Sequence, residues 1–590
     1  MKFNNEIYKI HEVNNFRDII KATVEKYPDN VAYKFKKNFK KDDECVVEKK
    51  YKEIKMEIEG FSTALLNLGL ENKKVILIGN NRYEWCVSYL AVTTGNMVIV
   101  PLDKALPDGE IKNLIETSKA DAVIYENKYA DIFNKLKESK STTIKNFINM
   151  DLEKEEKGIF SFRKLVEQGI KLIENGNEEY NKIKLDDDKM SILLFTSGTT
   201  SQPKGVMLSQ KNICSNVMGM AKMSKMYSDD VLLSFLPLHH TFECTITFLY
   251  GFYSGVTIEF CDGLKYIAKN LEEYKVSVIV AVPLVLETMY KKIENGIEKS
   301  GKAKTVKVMG SISNFLYKYL HIDIRRKIFK SVLDQLGGHV RILYFGAAAM
   351  SKPVIDGYNT FGIASVQGYG LTETSPLIAA ETDKNKKPGS VGRNPYNVQI
   401  KIVDENDDEI KNVGLEHVGE IVAKGPNVMI GYYENEEATK QVLKDGWFHT
   451  GDLGYFDKDG YLFITGRKKE VIVLKNGENV YPSDIEFLVN ELSYVQESIL
   501  FPKKNSKNEI ALGIKIVYDQ DLVKETFGDK TEKEYEKLIW KDIKEINKKL
   551  PVFKKIKELI ITTEPLEKTT TQKIKRFKEL EKINKLLENK

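Results

Sequence analysis

Cysteine is the first thing this chain is short of. Five thiols in 590 residues, at positions 45, 86, 214, 244 and 261, are odd in number and form no C-x-x-C pair. Neither a disulfide framework nor a zinc site is indicated, and a reducing, cytoplasmic setting is expected. Charge of one sign is lacking as well: 90 basic against 85 acidic side chains leave a formal +5. A nucleic-acid binder concentrates far more positive charge on itself, so nucleic acid is not an expected partner. Long apolar runs are absent. The longest, Val276 to Leu286, is too short to cross a bilayer and contains Pro283, and the opening MKFNNEIYKIHEVNN has no apolar signal core. Nothing is expected to span a membrane.

What is present is ample core material. The chain is 42% hydrophobic and 30% charged, enough for buried cores in more than one domain. Two basic patches, FKKNFKK at 35 to 41 and the cluster Lys573, Lys575, Arg576 and Lys578, read as solvated charge. Peripheral contact with the inner membrane surface stays open as the other reading.

Short buried-strand runs recur between helical patterns: Val75 to Ile78, Met97 to Val100, Ser277 to Val280 and Arg341 to Phe345. This alternation predicts an α/β chain with parallel sheets. From Val391 the texture turns to short strands and Gly-rich turns, which predicts a strand-rich, barrel-like subdomain over about 391–466. Beyond it come a strand at Val471 to Leu474, a tight Asn476-Gly477 turn, and a helix opening at Ser483 with Glu486 in capping-box position. A compact α+β unit of ordinary small-domain size closes the chain. Its last helix carries an apolar stripe at Ile574, Phe577, Leu580, Ile583 and Leu587, read as core.

The strongest local signal is Thr196-Ser197-Gly198-Thr199-Thr200-Ser201-Gln202-Pro203-Lys204-Gly205, which follows the buried run Ile192 to Phe195 and precedes a helix that Ser209 can cap. Hydroxyls and exposed backbone N–H groups suit polyphosphate oxygens, and Lys204 adds a cation. Gly198 and Gly205 stand seven apart, so this is not the P-loop spacing of kinases and motors, and a generic ATPase loses its support.

TSGTTSQPKGVML resembles the phosphate-loop signature of the adenylate-forming superfamily: acyl-CoA synthetases, luciferases and peptide-synthetase adenylation domains. Further motifs appear in that family's order: LPLHHTFE at 236 to 243, QGYGLTETSP at 367 to 376, HTGDLG at 449 to 454, GRKKEVIVLKNGENVYP at 466 to 482 and TTTQKIKR at 569 to 576. The resemblance covers nearly the whole chain. It implies a large N-terminal AMP-binding domain over 1–468 and a small, mobile C-terminal domain over 469–590 that carries the catalytic lysine.

The residues support that reading on their own chemistry. In QGYGLTETSP two glycines flank Tyr369, read as a turn that offers an aromatic face to adenine, while Glu373 can hold a divalent metal on phosphate oxygens. Asp452 is suited to accepting from both ribose hydroxyls. Arg467 keeps its charge near neutral pH for ribose or phosphate contact. The resemblance implies Thr196, Ser197, Gly198, Thr199, Thr200, Lys204, Gly346, Ala347, Ala348, Gln367, Gly368, Tyr369, Gly370, Thr372, Glu373, Asp452, Arg467 and Lys573 as nucleotide contacts. It also implies Lys573, Glu373, His240 and Thr196 as catalytic, and Mg2+ on Thr196 and Glu373. Lys469 would be the hinge, with Lys475, Asn476 and Gly477 in the thiol channel. His239 reads equally as packing.

Strings at 276 to 293 and 337 to 354 look like the long-chain fatty acyl branch, so fatty acid, ATP and CoA are the implied substrates. An acyl-carrier-protein ligase, or one for medium-chain or aryl acids, is the alternative; a lipid-binding protein that has lost catalysis is a different class again. Glu243 is where an amino-acid amine could still be held. Three departures from the family pattern stand out: Ser201 in the loop, Ser209-Gln210 after it, and Gln572 before the closing lysine.

Overall fold

A computed structural model of the chain describes residues 7–139, 142–196, 203–474, 478–504, 510–568 and 574–588. The chain divides into two compact units, 1–400 with 423–448, and 401–422 with 449–590.

The first unit is built on two large sheets. In one, the strands run Leu377–Ala380, Ala364–Gly370, Ile342–Phe345, Val278–Ala281, Val231–Ser234, Thr257–Phe260, Val31–Lys37 and Cys45–Lys50. In the other the order is Gly431–Tyr432, Lys204–Ser209, Met190–Thr196, Val98–Pro101, Lys74–Ile78, Ala122–Tyr125, Asn146–Asn149 and Phe160–Ser161. Each sheet is parallel through its centre and antiparallel toward an edge. Strands such as Ala122–Tyr125, Val278–Ala281 and Ile342–Phe345 are buried at every position. Parallel strands covered by helices on both faces need such unbroken apolar runs, and these are the runs that betray them in the sequence. The anticipated mixed α/β architecture with parallel sheets is therefore present.

Two local readings change. Ala364–Gly370 is a strand with Tyr369 opposite Ala379, not a turn. Its glycines serve close packing: a Cβ on Gly370 would sit 1.6 Å from the Pro376 carbonyl oxygen. The patch at 35 to 41 is not simply solvated either. Lys36 is buried, 2.8 Å from Asp262 and 2.7 Å from Glu273.

In the second unit Gln399–Val403, Gly419–Lys424 and Trp447–Phe456 lie side by side in that order, and Leu462–Arg467 pairs with the last. This is the strand-rich region. Farther on, Val495–Lys504, Ile510–Tyr518 and Ile556–Thr562 form a small sheet backed by the helices Pro482–Asn490 and Glu532–Lys549. Their shared core includes Ile485, Val489, Ile514, Ile539 and Ile543. The helix begins at Pro482, with Tyr481 as its N-cap and no side-chain cap. Glu486 therefore does not close a capping box. Its carboxylate accepts from Leu500 N at 2.6 Å and from the Arg576 guanidinium. Ser483 instead donates to the Thr465 carbonyl at 2.9 Å.

The closing helix, Arg576–Glu588, buries Ile583 and packs Leu580 and Leu587 against Ile499, Phe501 and Val517. Phe577 departs from the expected stripe and is 69% exposed. A buried ion pair latches this helix to the sheet, with Lys515 Nζ 2.9 Å from Glu579 Oε2. Lys575 and Lys578 pair with Glu567 at 3.2 and 3.1 Å, so these two lysines of the basic cluster share one acid within their own unit.

Candidate active site

In the first unit the phosphate-loop motif lies on a hairpin. Thr196 and Lys204 are directly opposite each other at the ends of two antiparallel strands, and the Thr196 hydroxyl donates to the Lys204 carbonyl at 3.4 Å. Ser197, Gly198, Thr199 and Thr200 fall outside the described residues. The strand Lys204–Ser209 stands between loop and helix, an element the sequence reading passed over. Ser209 then closes a capping box with Asn212 and starts the helix Gln210–Met223. Gln210 is buried, accepting from Phe16 N and donating to the Thr93 carbonyl, both at 2.9 Å. The departure at Ser209-Gln210 is thus taken up by capping and packing.

Glu373 sits in a single 3₁₀ turn, Thr372–Thr374, that follows the Ala364–Gly370 strand. Its Oε1 accepts from the Tyr432 hydroxyl at 2.9 Å, and its carbonyl accepts from Met429 N at 2.8 Å. Lys204 Nζ lies 4.8 Å from the centre of the same Tyr432 ring. Tyr432 reaches both because Gly431–Tyr432 pairs with Val206 and Met207. One aromatic side chain thus touches the loop's cation with its face and the acidic residue with its hydroxyl. Burial, followed by the Glu373 charge, pushes the Tyr432 hydroxyl well above the usual phenol range, so it stays a donor. Sequence reasoning missed Tyr432, because only strand register makes GYY a neighbour of Lys204.

Gly346, Ala347 and Ala348 follow the buried strand Ile342–Phe345. A Cβ on Gly346 would lie 2.9 Å from the Gly368 carbonyl oxygen, and Ala347 adopts φ 69°, a conformation that costs a non-glycine residue about 1–3 kcal/mol. Gln367 pairs with Phe345 across these strands.

His240 Nδ1 accepts from Phe242 N at 3.3 Å. Its neighbour His239 is half-buried 3.7 Å from Asp103, and desolvation lowers its pKa to about 4, so it is neutral near pH 7. Glu243 is fully buried. Ser234 donates to one oxygen and Thr247 to the other, each at 2.7 Å, and burial still raises its pKa to about 8. Both oxygens are engaged by the chain's own hydroxyls, which removes Glu243 as a seat for a substrate amine.

The second unit gathers the other motifs. Asp452 and Arg467 face each other across two antiparallel strands, with Nε 2.9 Å from Oδ1. The Asp452 side chain is 6% exposed, whereas Arg467 is 42% exposed. Gly451 takes φ 70° within the strand Trp447–Phe456, just before Asp452, and its N–H donates to Glu420 at 3.1 Å. Glu420 also holds Lys468 at 3.0 Å and lies 3.5 Å from His449. This buried acid, unremarked in the sequence, holds the HTGD stretch of the strand in place. Lys469 is exposed within the 3₁₀ turn Lys468–Glu470.

Lys475, Asn476 and Gly477 fall outside the described residues, as does Lys573. Both stretches are bracketed by pairing. Ile472 and Val473 pair with Val480 and Asn479, and Lys568 bridges to Ile574 while Lys575 N donates to the Glu567 carbonyl at 2.8 Å.

Magnesium asks for oxygen donors and usually keeps waters and substrate phosphates alongside one or two carboxylates. Among the described residues no group of three or more His, Cys, Asp or Glu could hold a metal alone. A single acid, Glu373, fits an ion that arrives with a nucleotide.

The family model described as AMP-binding enzyme matches residues 20–433, and the one described as AMP-binding enzyme C-terminal domain matches 469–589. The chain belongs to the AMP-binding enzyme family. This AMP-binding enzyme is 32% identical over 463 residues to long-chain-fatty-acid–CoA ligase 6 of Mus musculus, covering 74% of this chain and 65% of that one. It is 28% identical over 446 residues to long-chain-fatty-acid–CoA ligase FadD15 of Mycobacterium bovis, with 73% and 71% covered. It is also 28% identical over 534 residues to a chloroplastic long-chain-fatty-acid–acyl-carrier-protein ligase of Arabidopsis thaliana, with 80% and 72% covered. Among solved structures, a Mycobacterium tuberculosis fatty acyl CoA synthetase shares the fold with a TM-score of 0.65 and 21% identity, covering 96% of this chain and 98% of the other. The AMP-binding enzyme is an acid–thiol ligase. Among its described residues no helix is long and apolar enough to cross a membrane.

Proposed function

We propose that this ligase joins a long-chain fatty acid to CoA in two steps. In the first, a carboxylate oxygen attacks the α-phosphorus of ATP, the bond to pyrophosphate breaks, and an acyl-adenylate forms. In the second, the CoA thiol gives up its proton and attacks the acyl carbonyl, and AMP leaves. The observation that carries the reading is the convergence of Lys204 and Glu373 on Tyr432, a cation and a carboxylate arranged for a nucleotide's phosphates.

Lys204 and the loop Thr196 to Thr200 bind the polyphosphate. The Gly346 to Ala348 turn and the strand Gln367 to Gly370 flank the adenine, with Tyr369 as its stacking face, and Thr372 adds a hydroxyl. Glu373 and Thr196 would hold Mg2+, which supplies positive charge against the phosphate oxygens. Asp452 accepts from the ribose hydroxyls, and its pairing with Arg467 pre-orients both side chains. His240 lines the entry for the acid. Lys573 offsets charge that builds on the carboxylate and α-phosphate. A domain boundary at 468/469, with Lys469 as hinge, lets one C-terminal domain present Lys573 for the first step and the segment at Lys475 to Gly477 to the thiol for the second.

Acid-dependent exchange of labelled pyrophosphate into ATP is the expected activity. Lys573→Ala should lower it by about 10²–10³-fold, the effect of losing one well-placed donor. A fatty-acid panel run with CoA and with holo acyl-carrier protein tests the rest. Thioester formed only with the carrier protein favours the second reading, raised by the carrier-protein ligase among the relatives. No exchange with palmitate or any shorter acid overturns the fatty-acid assignment.

A further inference from the structure

The helix Ala303–Leu320 lies on the first unit in an unusual way. Its buried positions are Gly310 and Ser313, small residues that let it rest close on its support; a Cβ on Gly310 would meet Thr360 at 2.8 Å. The large apolar side chains face outward. Val308, Ile312, Phe315 and Tyr319 are 58%, 49%, 57% and 61% exposed. Their spacing of four, three and four places them on one helical stripe. Met309 and Leu320 widen it, and Ile322 extends it beyond the helix end, all exposed. Phe315 and Tyr319 pack their tilted rings with centroids 5.0 Å apart, an aromatic pair turned to solvent.

Charge around the stripe has one sign. From Lys299 to Ile322 the chain has five lysines and no acidic residue, and Lys304, Lys307 and Lys318 run along one border of the stripe. The next acid, Asp323, is held by Arg325 at 2.6 Å. An exposed apolar face of this extent marks an interaction surface. A lysine-bordered amphipathic helix with aromatic residues on its apolar face matches the boundary of an anionic bilayer, apolar face in the acyl region and cations at the headgroups. A protein groove would leave these lysines without the dense negative charge that lipid headgroups supply.

We propose that this helix docks the enzyme on an anionic lipid surface. The proposal stands apart from the choice of acid substrate. Co-sedimentation of the full chain with vesicles of phosphatidylcholine containing phosphatidylglycerol, without ATP or fatty acid, is the test. The expected result is binding that falls with salt and with the anionic lipid fraction. Ile312→Glu with Phe315→Glu should lower the partition coefficient at least tenfold, and Lys304→Gln, Lys307→Gln and Lys318→Gln together should remove the dependence on phosphatidylglycerol. Unchanged thermal unfolding shows that the variants fold. No binding by the wild type, or equal binding by the folded double-glutamate variant, overturns the proposal. So does sedimentation velocity showing a wild-type dimer that this variant dissolves, since a second copy would then cover the face.

Discussion

Tyr432 gives the clearest prediction from a single side chain. Its hydroxyl is a hydrogen-bond donor to a carboxylate, an interaction worth about 1.5–3 kcal/mol, while its ring remains beside Lys204. Tyr432→Phe keeps the ring and loses the donor. If the pair positions Glu373, kcat/KM for ATP should fall roughly ten- to hundredfold with the fold intact, whereas KM for the acid should stay within about twofold. An unchanged ATP dependence would reduce Tyr432 to packing. Glu243 makes a different prediction, through pH. Its folded pKa, raised to about 8 by burial, lies above the ordinary carboxylate value. The stabilisation from holding that proton is complete at acid pH and is lost as pH rises through 8. Glu243→Gln copies the protonated form at every pH. The melting temperature of the variant relative to wild type should therefore climb between pH 6.5 and about 8 and level off above that, in a range where His239 is neutral in the native state. A flat difference across that window would mean that Glu243 is ionised in the native protein.

Among the elements, the phosphate-loop hairpin and the helix it feeds depend on one cap. Ser209 closes both halves of its box with Asn212, and losing an N-cap costs about 1 kcal/mol. Ser209→Ala should lower the first thermal transition by a few degrees without altering the pH dependence of activity. Much at this scale was legible beforehand. The buried parallel strands announced themselves as unbroken apolar runs, and Ser209 was recognisable as a cap from the run of residues around it. The failures have a common cause. QGYG looked like a turn because glycine usually marks one, but here the missing Cβ atoms admit the neighbouring strand and the Pro376 carbonyl. Glu486 had the spacing of a capping residue and was claimed by Arg576, 90 positions away in sequence. Local propensity is a weak prior, and contacts of that span override it.

For the molecule as a whole, the order of the motifs along the chain was enough to anticipate the family, since each motif carries its own chemistry. How distant motifs meet was not readable. Asp452 and Arg467 pair because the Trp447–Phe456 and Leu462–Arg467 strands run antiparallel in one register, and no property of either residue alone declares it. Glu420 stayed hidden for the same reason: it lies 31 residues before the glycine whose N–H it accepts. The buried Lys515–Glu579 pair has a consequence of its own. It fastens the last helix to the small sheet, and that helix begins two residues beyond the bridge from Lys568 to Ile574 that brackets Lys573. Breaking one partner of a buried pair costs about 3–5 kcal/mol. Damage to the tail, by clipping or by a bulky fusion, would thus pass for a chemical lesion in an assay, and an inactive preparation should be checked for an intact final helix before any active-site residue is blamed.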